Sequence, residues 1–248
     1  MNDLQINKKK GSNPFLALNY FIRGIKYLGK PELRKYLLVP IVINLILYSV
    51  AFALSYYYIS GVIEQLIPDW LQWLNWILWP LFFICFIIAI FFSFTLLANL
   101  MAAPFYSKLS ANTMALLIGK PVVVQEQSWH KVMWSEFRRL GYLGLRALPL
   151  LFLAIIPGVN FIAPFLWAVF GAWAIALEYM AYPLENEGLL FYEQRQVARS
   201  VRFGALSFGG ISVAGLAVPL LNILVPPAAV IGATIYVHEM KKRDEQKV

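Results

Sequence analysis

The sequence predicts an all-α integral membrane protein, with two long transmembrane helices, two segments broken by proline and asparagine, and an N-terminal amphipathic helix at the interface. Three observations carry this expectation. Of the 248 residues, 60% are hydrophobic and 14% charged, where an ordinary soluble domain has about 45–50% and about 25%. Leu37–Ile59, Trp70–Ser107, Ala147–Leu177 and Gly204–Val237 contain no Asp, Glu, Lys or Arg. The 21 Lys and Arg are unevenly spread: eight precede Leu37, none lie in Gly61–Asp69, and six lie between Ser107 and Ala147. That asymmetry puts the N-terminus and the Lys108–Arg146 region in the cytoplasm.

Read as one helical membrane domain over 1–248, the chain opens on a polar tail, 1–13, expected to be mobile. In 14–29, Phe15, Leu18, Phe21, Ile22, Ile25 and Leu28 share one arc at about 100° per residue, with Asn19, Arg23 and Lys26 beside it. Two cations at mid-bilayer would cost about 2.5–3.5 kcal/mol each, so this helix is expected at the interface. Residues 32–60 and 70–107 are the two long spans. Leu37–Ile59 alone exceeds the roughly 30 Å hydrocarbon core at about 1.5 Å per residue. Pro40 and Asn44 sit near its start, where a lost hydrogen bond matters less. The second span follows Pro68-Asp69 with Trp70, Trp73 and Trp76 in an interfacial belt, and leaves the membrane at Asn99 and Pro104. Lys108–Arg146 is basic and amphipathic, divided into two helices by Gly119-Lys120-Pro121.

Segments 147–184 and 204–238 are interrupted, the first by Pro157-Gly158, the second by Pro219 and Pro226-Pro227. Most of the resulting pieces, at about 1.5 Å per residue, fall short of the core, so each segment is a broken span or a re-entrant, hemi-penetrating hairpin. Pro157-x-x-Asn160-x-x-x-Pro164 recurs as Pro219-x-x-Asn222-x-x-x-Pro226. Paired interrupted segments point to binding elements in transporters built from repeats, while proline and asparagine also favour turns in general. Two hairpins leave every basic segment on one side; a four-span topology exports Arg195, Arg199 and Arg202 together with Glu178, Glu185, Glu187 and Glu193.

Several chemistries are excluded. Cys85 is the single cysteine and His130 and His238 the two histidines, so no cysteine framework or metal cluster is expected, and His238-Glu239 does not continue as a zincin motif. No Walker-type glycine loop exists, no nucleophile–base constellation is present, and no cofactor is implied. The +8 net charge follows from membrane orientation and does not call for nucleic acid.

Gly29-Lys30-Pro31-Glu32-Leu33-Arg34-Lys35 reads as a helix start, with Pro31 at the first helical position. Its unpaired first-turn amides form a latent anion site at the positive end of the helix dipole. Lys30, Arg34 and Lys35 crowd the same corner, where helices ordinarily favour acids. These cations are either a membrane-surface anchor or part of a small-oxyanion site. Arg195, Arg199 and Arg202, spaced i, i+4, i+7, form one helical stripe, which is a solvated or headgroup-facing surface or an electropositive anion vestibule. Glu178 is assigned to the interface beside Tyr179 and Tyr182. Asn44, Asn99, Asn160 and Asn222 line an anion path or join helices, the second being commoner.

The chain resembles the CysZ family of bacterial inner-membrane sulfate-uptake proteins. The resemblance is carried by Lys30–Lys35 with Val39–Asn44, Pro68–Leu74, Ala98–Phe105, Ile156-Pro157-Gly158 with Ala163-Pro164, Tyr182-Pro183, Phe203–Leu206 and Pro219–Asn222, in order over about 14–240. It implies sulfate import for cysteine biosynthesis without an ATPase, by a multi-pass inner-membrane homo-oligomer acting as channel or facilitator. Sulfite and other oxyanions are related candidate ligands. It places the sulfate-binding residues at Glu32, Leu33, Arg34 and Lys35, with backbone amides of Glu32, Leu33 and Arg34 as donors. Glu32 stands where the family often has glycine, and a carboxylate beside a dianion is repulsive unless it points away. The alternative to transport is a membrane scaffold whose basic helices bind anionic lipids or partner proteins.

Overall fold

The computed structural model describes residues 6–66, 73–125, 127–218 and 221–241. Among these residues the regular structure is helical: α1 (Lys8–Gly11), α2 (Pro14–Leu28), α3 (Pro31–Leu66), α4 (Asn75–Ile118), α5 (Trp129–Ile155), α6 (Ala163–Asn186), α7 (Phe191–Ser200), α8 (Arg202–Leu216) and α9 (Leu221–Lys241). Asn160–Asn186 and Leu221–Lys241 are each long and apolar enough to cross a bilayer. The protein is all-α and of the membrane class. Where the sequence predicts one domain, the chain divides into two compact units, Leu37–Phe105 and the remainder.

Leu37–Phe105 pairs α3 with α4 through aromatic side chains. Phe52 and Tyr56 stand one turn apart on α3. The Phe52 ring lies 5.2 Å from Phe86 and 6.3 Å from Phe83, and Tyr56 lies 5.4 Å from Trp79. Leu38, Val42, Leu45, Ile46, Ile84 and Ile87 are exposed. A helix pair that is apolar on its outer faces as well as at its seam suits lipid rather than water. Trp73 and Trp76 are exposed near the start of α4, as an interfacial belt requires; Pro68, Asp69 and Trp70 lie outside the described residues.

The other unit is built around α9. Its residues 227–237 are buried, and α2, α6 and α8 pack on it. The α2 helix is started by Asn13, whose Oδ1 accepts from Phe15 N at 3.0 Å and Leu16 N at 3.3 Å, followed by Pro14. Small residues set the distance between helices: a Cβ on Gly24 would lie 2.8 Å from Gly232 N on α9. Aromatic rings then close the seam. Tyr20 stacks on Tyr236 at 5.3 Å, and Phe208 of α8 meets Phe21 at 6.0 Å and Tyr236 at 5.9 Å. Ser110 of α4 and Thr234 of α9 share a buried hydrogen bond of 2.9 Å.

Four expectations change. The arc predicted for the membrane interface splits: Phe21 is buried with Ala17, Tyr20 and Gly24, while Phe15, Ile22 and Ile25 are exposed. Close approach to α9 selects small side chains rather than the largest ones. The tail expected to be mobile is fastened from Asn7 onward. Asn7 N–H donates to Met240 O at 2.9 Å, Lys10 Nζ meets Glu239 at 2.6 Å, and the Tyr236 hydroxyl donates to Gly11 O. Arg23 adds a second contact to Glu239 at 3.7 Å.

Pro226 and Pro227 do not break a helix but sit inside α9. The carbonyls of Asn222 and Ile223, whose i+4 residues are these prolines, belong to exposed residues at the helix start, where a lost intrahelical bond costs least. Finally, the pieces of the interrupted segments are longer than the uncharged runs suggest: α5 has 27 residues, α6 24 and α9 21. The argument from shortness therefore fails for α6 and α9. Only α8, at 15 residues, falls short of a core about 30 Å thick. The Pro157-x-x-Asn160 template falls at the turn between α5 and α6, with Gly158 at φ 83°, whereas Asn222 and Pro226 of the second lie inside α9; Pro219 lies outside the described residues.

Asn186 ends α6 by a reciprocal pair with α4: its Nδ2 donates to Ser107 O at 3.0 Å and its Oδ1 accepts from Ser107 Oγ at 2.8 Å. Asn186 is buried. Replacing it with leucine leaves the Ser107 hydroxyl without its partner and removes the second bond to the Ser107 carbonyl, a cost of about 1–3 kcal/mol. A thermal melt in detergent should show Asn186→Leu several degrees below wild type; an unchanged midpoint would contradict this assignment.

Candidate functional site

The start of α3 follows α2 after two residues. Gly29 N–H donates to Lys26 O at 3.3 Å and Lys30 N–H to Tyr27 O at 3.0 Å, which ends α2. Gly29 has φ −68°, open to any residue, so the corner depends on these bonds and on Pro31 rather than on glycine's freedom. Leu33 is fully buried in the core cluster, while Glu32, Arg34 and Lys35 are exposed. The helix start is thus pinned by one apolar side chain and presents three charged ones.

Each cation at this corner has a defined seat. Lys30 Nζ lies 4.1 Å from the Tyr27 ring centroid and Lys35 Nζ 5.1 Å from Tyr36. Arg34 Nε donates to Gly29 O at 3.1 Å, turning the guanidinium back over the α2–α3 corner. Among the described residues no carboxylate pairs with it. The amides of Leu33 and Arg34 both point to Lys30 O, at 3.0 and 3.2 Å. Of the three amides expected to donate to an anion, Glu32 N–H is the one that the described residues leave open.

Glu32 lies about 200° around the helix from Arg34, on the other side. It lines a cavity of about 560 Å³ with Asn112, Leu116, Gly119 and Lys120. Gly119, at φ 74°, turns the chain at the end of α4 and brings Lys120 to that wall. Asn112 Nδ2 donates to Tyr36 Oη at 2.8 Å, holding α3 and α4 together there. The carboxylate that would repel an anion at Arg34 therefore faces a wall that carries a lysine.

The second group of candidate residues is arranged differently from the sequence pattern. Arg195 and Arg199 belong to α7, but Val201, at φ −124° and ψ 31°, interrupts the helix before Arg202, which opens α8. The three arginines are not one helical stripe. Arg199 and Arg202 instead meet Arg146 of α5 at a cavity of about 680 Å³. Arg146 was visible in the sequence only as one more cation of the basic region. Its guanidinium lies 3.7 Å from the Tyr142 ring centroid, with Nη1 donating to Tyr142 O at 3.2 Å. Arg195 approaches the same ring at 5.0 Å, and the Tyr142 hydroxyl accepts from Trp173 Nε1 at 3.1 Å. Next to this cluster, Arg139 bridges Glu136 at 3.1 Å and Gln194 at 2.9 Å, a tie between α5 and α7 that the sequence does not announce.

The remaining candidates stand apart from both groups. Glu178 is exposed between buried Leu177 and Tyr179. Asn160 is exposed at the turn between α5 and α6, and Asn222 is exposed in the first turn of α9. The side chains of Asn44 and Asn99 lie outside the described residues, as do Lys242, Arg243 and Lys247. Among the described residues no group of three or more His, Cys, Asp and Glu could hold a metal ion.

Residues 20–227 match the family model described as "Sulfate transporter CysZ/Etoposide-induced protein 2.4". A protein of Pseudomonas aeruginosa called sulfate transporter CysZ is 36% identical over 227 residues, covering 88% of this chain and 92% of its own. A protein of the same name from Pseudomonas fluorescens is 41% identical, covering 88% and 91%. One from Pectobacterium atrosepticum is 32% identical, covering 88% and 82%.

Proposed function

The chain belongs to the sulfate transporter CysZ/etoposide-induced protein 2.4 family, and on that premise we propose that it carries sulfate across the bacterial inner membrane into the cytoplasm. The observation that supports a site is the start of α3. A helix N-terminus bearing Arg34 and Lys35, with Arg34 unpaired by any carboxylate among the described residues, leads straight into the uncharged stretch Leu37–Ile59. A planar guanidinium suits a tetrahedral oxyanion, and the Glu32 amide and the helix dipole add to it. Leu33 contributes by anchoring the helix, not by touching the anion. The basic segments place this site at the cytoplasmic mouth, so it acts on release or regulation of sulfate unless copies insert in both orientations.

Transport is channel-like or facilitated, through a multi-pass homo-oligomer, without catalysis by this chain and without ATP, and it supplies sulfur for cysteine biosynthesis. Sulfite is likewise an oxyanion whose oxygens accept hydrogen bonds, and it competes at the same site. The test is sulfate flux into liposomes that contain this protein alone. Uptake above that of empty vesicles, reduced by added sulfite, is the expected result. No uptake above background would overturn transport and favour a scaffold role.

A further inference from the structure

The cavity between α5, α6, α7 and α8 joins two chemistries that a small inorganic anion does not need together. Arg146, Arg199 and Arg202 gather at it, and no carboxylate is among its lining residues. The rest of its wall is apolar: Leu150, Leu166, Val169, Phe170, Trp173 and Leu206. One arginine of the cationic side is held in place before any ligand arrives: Arg146 is fixed on Tyr142, and Tyr142 on Trp173. Arg195 stands on the same ring with a buried Nε that has no hydrogen-bond partner. Like charges so gathered repel one another unless an anion joins them. Leu151, Phe152 and Phe165 of α5 and α6 are exposed, so the helices that carry the apolar wall also present apolar surface that suits acyl chains.

We propose that this cavity binds an anionic phospholipid, its phosphate between Arg146, Arg199 and Arg202 and an acyl chain along Leu150, Leu166, Val169 and Phe170. Guanidinium forks match phosphate oxygens in pairs, and basic pockets between membrane helices take lipid phosphates in this way. A hydrated dianion would leave the apolar wall without a partner and would have to shed its water beside it; a lipid satisfies both sides. The four helices that build the cavity meet only when α7 and α8 are docked, so the bound lipid ties the docked arrangement to the composition of the surrounding leaflet. The proposal rests on the arginines as an anion site and not on the sulfate reading of α3.

Native mass spectrometry and thermal melts of the full-length protein in detergent test this, with phosphatidylglycerol, cardiolipin, phosphatidylcholine and sodium sulfate as probes. Wild type should retain the anionic lipids and melt higher with them, while phosphatidylcholine leaves the midpoint unchanged and sulfate does not displace the bound lipid. The double variant Arg199→Gln/Arg202→Gln loses two charge-assisted pairs and should hold anionic lipid about ten-fold or more weaker. Its phosphatidylcholine retention should match wild type. Equal retention of anionic lipid by the variant would overturn the site. So would displacement of the lipid from wild type by sulfate, which would make the cavity a sulfate vestibule. Loss of lipid binding with normal flux leaves the transport reading standing; absent flux with normal lipid binding removes only that reading.

Discussion

Gly209→Leu should yield no monodisperse protein in detergent, and Gly209→Ala should melt well below wild type. Gly209 of α8 faces α6 so closely that a Cβ would lie 2.8 Å from the carbonyl carbon of Ala172 and 3.0 Å from the amide nitrogen of Ala176, with the Ala172 oxygen nearer still. All three are backbone atoms of a helix, so no rotamer change can relieve the clash; the helices must part. Overpacking of this kind costs about 1–3 kcal/mol or more, a large share of the stability of about 5–15 kcal/mol typical of a native protein. The loss is sharpened in a bilayer, where helices associate through close approach of small residues rather than through exclusion of water. The neighbouring glycine is the control: a Cβ on Gly210 would meet only Ala172 Cβ, at 4.0 Å. Gly210→Ala should therefore leave the thermal midpoint where it was. Equal midpoints for Gly209→Ala and wild type would show that α6 and α8 do not meet as described.

Arg34→Ala should weaken sulfate binding about ten-fold, the loss expected for one charge-assisted hydrogen-bond donor. The side chain is exposed and its one internal bond, to Gly29 O, is a minor tie, so the melting midpoint should move little. Arg34→Lys keeps the charge but loses the fork, and should recover only part of the affinity. Lys35→Ala should cost less than Arg34→Ala, since a lysine seated over Tyr36 contributes a screened point charge. Titration calorimetry in detergent at low ionic strength reads all three. Unchanged affinity in Arg34→Ala would remove this corner from the sulfate path.

Some of this was legible in the residues and some was not, for physical reasons. Pro31 after Gly29-Lys30 announces the start of α3 because the missing amide and fixed φ fit only the first turn. The uncharged runs announce the helices because nothing else can carry so many apolar residues through lipid. The arginine stripe misled because the break at Val201 carries no glycine or proline. Val201 is fully buried, and a Cβ on Gly11 of α1 would run into its side chain, so a tertiary contact accompanies the break and local sequence does not report it. The buried face of α2 misled in the opposite sense: an arc drawn through the largest apolar residues points to lipid, while the protein contact runs through Ala17 and Gly24. Arg146 was hidden in a charge count. Its role comes from Tyr142 one turn before it and Trp173 on another helix.

The clasp between the first residues and α9 has a consequence for the order of synthesis. The surface that buries Tyr20, Phe21 and Gly24 is supplied by residues about 200 positions later in the chain. At about 5–20 residues per second, α2 waits some 10–40 s for α9. During that interval its glycine and tyrosine face has no partner, and whatever shelters it, lipid or insertion machinery, must release it again when α9 arrives. A chain truncated before Leu221 would thus lack the helix around which its earliest segment is organised, and would be cleared as an unfinished product rather than persist as a smaller protein.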